Sequence, residues 1–92
     1  MRNEQRLNAL REGEGAQVVR VEAPPGLRRR LMDLGLVPGT QVTCVAKSPA
    51  GDPAAYLIRG AVIALRGVDA GEVWLSRTEG GPALAGAARA WD

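Results

Sequence analysis

Hydrophobic and polar positions alternate along most of this chain, and one segment departs from that rhythm. Over residues 17–22, Val19 and Val21 stand against Arg20 and Glu22; over 40–47, Val42, Cys44 and Ala46 stand against Gln41, Thr43 and Lys47, with Val45 also outside. A period of two predicts half-buried strands with the first-named residues inward. Residues 54–59, 61–66 and 73–76 are three further short strands, with Gly60 between the first two. Between the first two alternating stretches the period lengthens: Leu27, Leu31 and Leu34 recur at i, i+4 and i+7, one apolar stripe of a helix of about three turns. Pro24 and Pro25 suit its entry, where a missing N–H costs nothing. Gly35 falls where a left-handed residue ends a helix, and Leu36 can fold back on the last turn. Val37-Pro38-Gly39-Thr40 then has the proline and glycine of a type II turn. Residues 48–53 are dense in turn formers, and Gly67-Val68-Asp69-Ala70 predicts one short helical turn.

These elements describe a mainly β fold, a small antiparallel barrel of about five strands with one short α-helix inserted after the first strand. Residues 1–76 form the barrel domain. Thr78-Glu79-Gly80-Gly81-Pro82 then reads as a linker, and 83–92 is an Ala-rich tail with too few large apolar side chains to fold alone. Docking would let the tail become helical, with Trp91 as its anchor. A chain of 92 residues allows one domain with a modest core.

Composition removes most chemistry. The chain has no histidine, so the commonest general base and metal ligand is missing. Its one cysteine, Cys44, has no Cys or His partner and is turned inward by the alternation, which fits a buried inert thiol in a reducing compartment. Residues 51–53 lack the glycine spacing and lysine of a phosphate-binding loop. Asp52, Asp69 and Glu72 offer oxygen ligands, but nothing in their spacing selects a metal site, and they read as solvated surface. The expectation is a non-enzyme without metal or cofactor. No apolar run approaches the length of a bilayer span and no secretory segment opens the chain, so the expected compartment is the cytoplasm. A net charge of +2 and only three aromatics, Tyr56, Trp74 and Trp91, argue against a nucleic-acid surface or a proline-peptide groove.

The order of the motifs resembles the ferrous-iron transport protein A (FeoA) family. The matching residues are Leu7-Asn8-Ala9-Leu10, Gly13-Glu14-Gly15-Ala16-Gln17-Val18-Val19-Arg20-Val21 and Arg30-Leu31-Met32-Asp33-Leu34-Gly35-Leu36-Val37-Pro38-Gly39. After these come Pro49-Ala50-Gly51-Asp52-Pro53, Ile63-Ala64-Leu65-Arg66 and Asp69-Ala70-Gly71-Glu72-Val73-Trp74-Leu75. Leu31, Leu34, Gly35, Pro38 and Gly39 form the most specific part. Ala50 is smaller than the family's usual residue, Gly71 interrupts the helical turn and should loosen it, and the tail has no counterpart. The resemblance implies an SH3-like barrel, which also occurs as the C-terminal domain of iron-dependent repressors. It further implies an accessory role beside the ferrous-iron transporter FeoB, a membrane protein with a GTP-binding domain. The family is thought to help assemble or regulate that transporter and is not considered an iron carrier.

Five residues are candidates for partner contact. Arg28, Arg29 and Arg30 lie in the opening turns of the helix, where each cation costs a few tenths of a kcal/mol, up to about 1, unless acids or a ligand compensate. The alternatives are solvation for Arg28 and Arg29 and a fold-back of Arg30 onto Asp33 or a barrel acid. Trp74 lies between inward Val73 and Leu75 and so on the outer face, where it either anchors a partner or is covered by the chain's own tail. Met32, off the leucine stripe, either joins an apolar patch near the arginines or packs inward. A nucleic-acid-binding module and self-association through a barrel edge or Trp74 remain open beside the transport role.

Overall fold

The computed structural model describes residues 4–76, and the expectations for 77–92 lie outside them. The described residues comprise β1 (Glu4–Arg6), a 3-10 turn (Leu7–Ala9), β2 (Gly15–Val21), α1 (Pro25–Asp33), β3 (Gln41–Lys47), β4 (Ala54–Ile58), β5 (Ala61–Leu65), α2 (Gly67–Ala70) and β6 (Val73–Ser76). The strands form one antiparallel array in the order β1-β6-β2-β3-β4-β5. Strand β2 serves both halves of the barrel. Its first residues pair with β3 (Gly15↔Thr43, Gln17↔Gln41) and its last with β6 (Val18↔Leu75, Val21↔Val73).

There are thus six strands, with the helix after the second. The added strand, β1, is three polar residues with no hydrophobic rhythm, and its strand character comes entirely from pairing with β6. Two facing expectations also change, both at β-bulges. A register shift between Val18 and Arg20 buries Val18 and leaves Val19 half-exposed. Another between Cys44 and Ala46 turns Ala46 outward beside Val45. An extra residue inverts the alternation beyond it, so a strict period of two names the wrong face.

The core joins Val18, Val21, Val73 and Leu75 from one half to Val42, Cys44, Tyr56 and Ile58 from the other. Leu31 and Leu36 close it on the helix side, and Leu7 and Leu10 are also fully buried within it. The helix ends as its sequence requires. Gly35 adopts φ +108, its N–H donates to the Met32 carbonyl at 2.9 Å, and the Leu36 N–H donates to Leu31 at 3.2 Å. This paired closure swings Leu36 into the core. The Thr40 N–H then donates to Val37 at 3.0 Å across the Pro38-Gly39 turn that launches β3. Gly71 ends α2 rather than interrupting it: its N–H donates to Gly67 at 2.9 Å, and a Cβ there would meet the Asn8 side chain at 3.0 Å.

Candidate partner-binding surface

Helix α1 is built from its buried stripe outward. Leu31 is enclosed, and Leu27 and Leu34 pack against the core from the same side. Proline at the cap and first helical position leaves no side chain to cap the N-terminus, and the first turn holds no acid. Arg28, Arg29 and Arg30 are all exposed at this positive end of the helix dipole. Among the described residues none of the three makes an ion pair, and the expected fold-back of Arg30 onto Asp33 does not form. Only the Arg28 guanidinium is held, its Nε donating to the Val21 carbonyl at 3.3 Å.

Consecutive helical residues point about 100° apart, so the arginines do not share one face. Arg28 and Arg29 line a shallow open groove with Ala23, Pro25 and Gly26. Arg30 points elsewhere, in the last turn, where a cation suits the dipole. Arg59 adds a further cation near that end, for its stem lies over Gly35 so closely that a Cβ there would be 2.5 Å from the Arg59 Cδ. Sequence reasoning passed over Arg59. Its signal was two strand patterns separated by two residues ending in glycine, a tight hairpin that forces the first of them into a left-handed conformation.

Met32 packs against the core and does not join an apolar patch. Trp74 is on the outer face as expected, but it is neither bare nor beside the helix arginines. Strand register sets Arg6 and Arg20 opposite it on either side, and their guanidinium carbons lie 4.7 and 5.1 Å from the ring centre. Cations over an indole face are attracted to its π-electrons. Arg20 also donates to Glu22 at 2.6 Å and to Glu4 at 2.7 Å, and these bonds, Glu22 first, raise its pKa further above an already high value.

The remaining polar candidates have structural work. Asp52 reaches across fifteen residues of sequence to accept the Gly67 N–H at 2.8 Å, tying the β3–β4 loop to the start of α2. Asp69 accepts from Arg66 Nε at 3.4 Å. No group of three or more potential metal-ligating side chains occurs among the described residues. Cys44 is fully buried, and burial pushes its thiol pKa up, away from the reactive thiolate. Beside it Tyr56, the chain's one tyrosine, is pushed up to about 12 by burial.

Residues 5–77 match the FeoA domain family. The chain is 37% identical over 68 residues, 74% of its length, to the Fe(2+) transport protein A/Fe(2+) transporter FeoB fusion protein of Porphyromonas gingivalis (strain ATCC BAA-308 / W83), and it spans only 8% of that fusion protein. Among solved structures it resembles a FeoA-like protein from Clostridium acetobutylicum, with TM-score 0.78 and 29% identity over 87% of this chain and 93% of the other. It also resembles Stenotrophomonas maltophilia FeoA complexed with zinc, described as a procaryotic SH3 domain protein (TM-score 0.68, 31% identity, 80% and 99% covered). A manganese-dependent transcriptional repressor shares the fold alone, at TM-score 0.74 and 20% identity over 84% of this chain and 43% of that one. No helix among the described residues is long and apolar enough to cross a membrane.

Proposed function

The chain belongs to the FeoA domain family, an accessory family of ferrous-iron transport, and from that membership we propose that it works by binding the cytoplasmic side of a FeoB-type transporter and assisting its assembly or regulation. The observation that carries this reading is the Porphyromonas gingivalis relative, in which the two proteins are one polypeptide. Fusion holds a domain at high effective concentration beside its partner, so even a weak contact is populated. A separate chain has no such help and needs a surface able to draw its partner in.

Arg28 and Arg29 with their groove, and Arg30 at the far end of the same helix, are the surface we assign to that contact. Their positive charge meets no carboxylate among the described residues. An acidic region of the transporter would supply both the missing countercharge and electrostatic steering. Catalysis has no part in this role: the chain has no histidine, and its only thiol is buried. The ferrous ion is the transporter's cargo.

The test is capture of the transporter's cytoplasmic GTP-binding region by the wild-type chain and by Arg28→Glu/Arg29→Glu/Arg30→Glu, with circular dichroism confirming that both are folded. Capture by the wild type and its loss in the variant are expected. Equal capture by both would take the arginines out of the interface, and no capture by either would remove the contact itself.

A further inference from the structure

Strand β5 has one neighbour, β4, among the described residues, and its other edge is open. It reads Ala61-Val62-Ile63-Ala64-Leu65, without a charge or a proline. Natural sheets ordinarily guard such an edge with lysine, proline or a bulge. The opposite edge strand, β1, conforms with Glu4 and Arg6.

The hairpin geometry shows what β5 presents. Arg59 and Gly60 both have positive φ, 51° and 85°, which makes a two-residue turn of the I′ kind flanked by the pair Ile58↔Ala61. In an antiparallel ladder the hydrogen-bonded pairs alternate from that point, so Ala61, Ile63 and Leu65 bond to β4. Val62 and Ala64 therefore turn their N–H and C=O groups outward. Val62 is 63% exposed, and the sheet surface beside it carries Thr43, Val45, Ala55 and Leu57 with no charged residue among them.

We propose that β5 pairs antiparallel with β5 of a second copy of this chain, about a twofold axis at Ile63. In that register Val62 of each copy faces Ala64 of the other, and these are the residues whose donors and acceptors are free. The two pairs make four backbone hydrogen bonds around a central Ile63–Ile63 contact, and the interface is the same patch used twice. Charge selects a copy as the occupant. The strand itself sets no like charges opposite one another. Of the flanking cations, Arg66 is paired with Asp69 in its own chain, and the Arg59 stem lies over Gly35 of the helix segment. Five residues a side is less than a standard interface, so the dimer is weak and concentration-dependent.

The test is sedimentation equilibrium of the full chain from micromolar to millimolar, with hydrogen exchange read at the Val62 and Ala64 amides. The mass should rise from one chain toward two, with both amides becoming protected as it does. Ala64→Pro removes an outward N–H while sparing the β4 ladder, and Val62→Lys adds the missing guard. Each should weaken association about tenfold or more, with the far-UV spectrum and melting temperature unchanged. A single-chain mass throughout, with rapid exchange at both amides, would overturn the proposal. So would protection unaffected by dilution, because the chain would then cover its own edge. Association of both variants as strong as the wild type's would place the contact elsewhere and equally overturn it.

Discussion

Arg6 and Arg20 on the β1–β6–β2 face, and Arg28, Arg29 and Arg30 on helix α1, are the same side chain in opposite circumstances. The first two are aligned by strand register on either side of Trp74, and Arg20 is further held by Glu4 and Glu22. That face supplies its own counterparts. The helix arginines stand where the backbone dipole opposes them and no carboxylate pairs with them among the described residues. Asp33 follows Arg29 by four residues, but with the acid on the C-terminal side, the less favourable order for a helical pair. Charge becomes available for binding where neighbouring elements fail to use it, and counting arginines does not reveal that.

The largest effect tests what holds the helix. Leu31→Ala, at a side chain 2% exposed, should cost about 2–5 kcal/mol, read as a fall in denaturant midpoint. If the helix were held by its charges, that loss would be small and strongly salt-dependent. Next comes the core beneath both faces. Tyr56 has a folded pKa of about 12, above its unfolded value of about 10. Its contribution to stability is whole below the unfolded value and is lost as pH rises through the folded one. Phenolate absorbance should accordingly stay silent at pH 10 and appear together with loss of structure toward pH 12. Titration at pH 10 in a folded chain would mean that the ring is accessible.

Trp74→Ala should cost about 1–3 kcal/mol through lost burial and two lost ring contacts while leaving transporter capture intact. Loss of capture with stability retained would move the interface to that face and reverse the comparison. The smallest change in stability belongs to Arg28→Glu/Arg29→Glu/Arg30→Glu. Replacing cations by anions at a helix N-terminus should leave the melting temperature level or raise it slightly, by a few tenths of a kcal/mol per residue. A clear fall would show that the arginines have a structural partner.

The features legible from sequence were the local ones. The apolar stripe, Gly35 and the Pro38-Gly39 turn each act within a few residues, and all three appear where the pattern placed them. What escaped depended on residues far away in the chain. Strand β1 exists because β6 lies beside it. The bulges at Val19 and near Val45 follow from barrel curvature, and Asp52 is committed by a backbone N–H fifteen residues on. The outward direction of Trp74 followed from alternation, but the arginines flanking it required the register of three strands. Met32 shows the reverse case: off the main stripe, it is still drawn inward because a small barrel leaves room around its helix.

The central claim is that the helix arginines are the ones left for a partner. Its most direct test is the dissociation constant for the transporter's cytoplasmic GTP-binding region, measured for Arg28→Glu/Arg29→Glu/Arg30→Glu and for Arg6→Gln/Arg20→Gln against the wild type. The account expects the helix variant to bind about tenfold more weakly or worse, and the strand variant to bind as the wild type does. Weakened binding by the strand variant, with the helix variant unaffected, would contradict it.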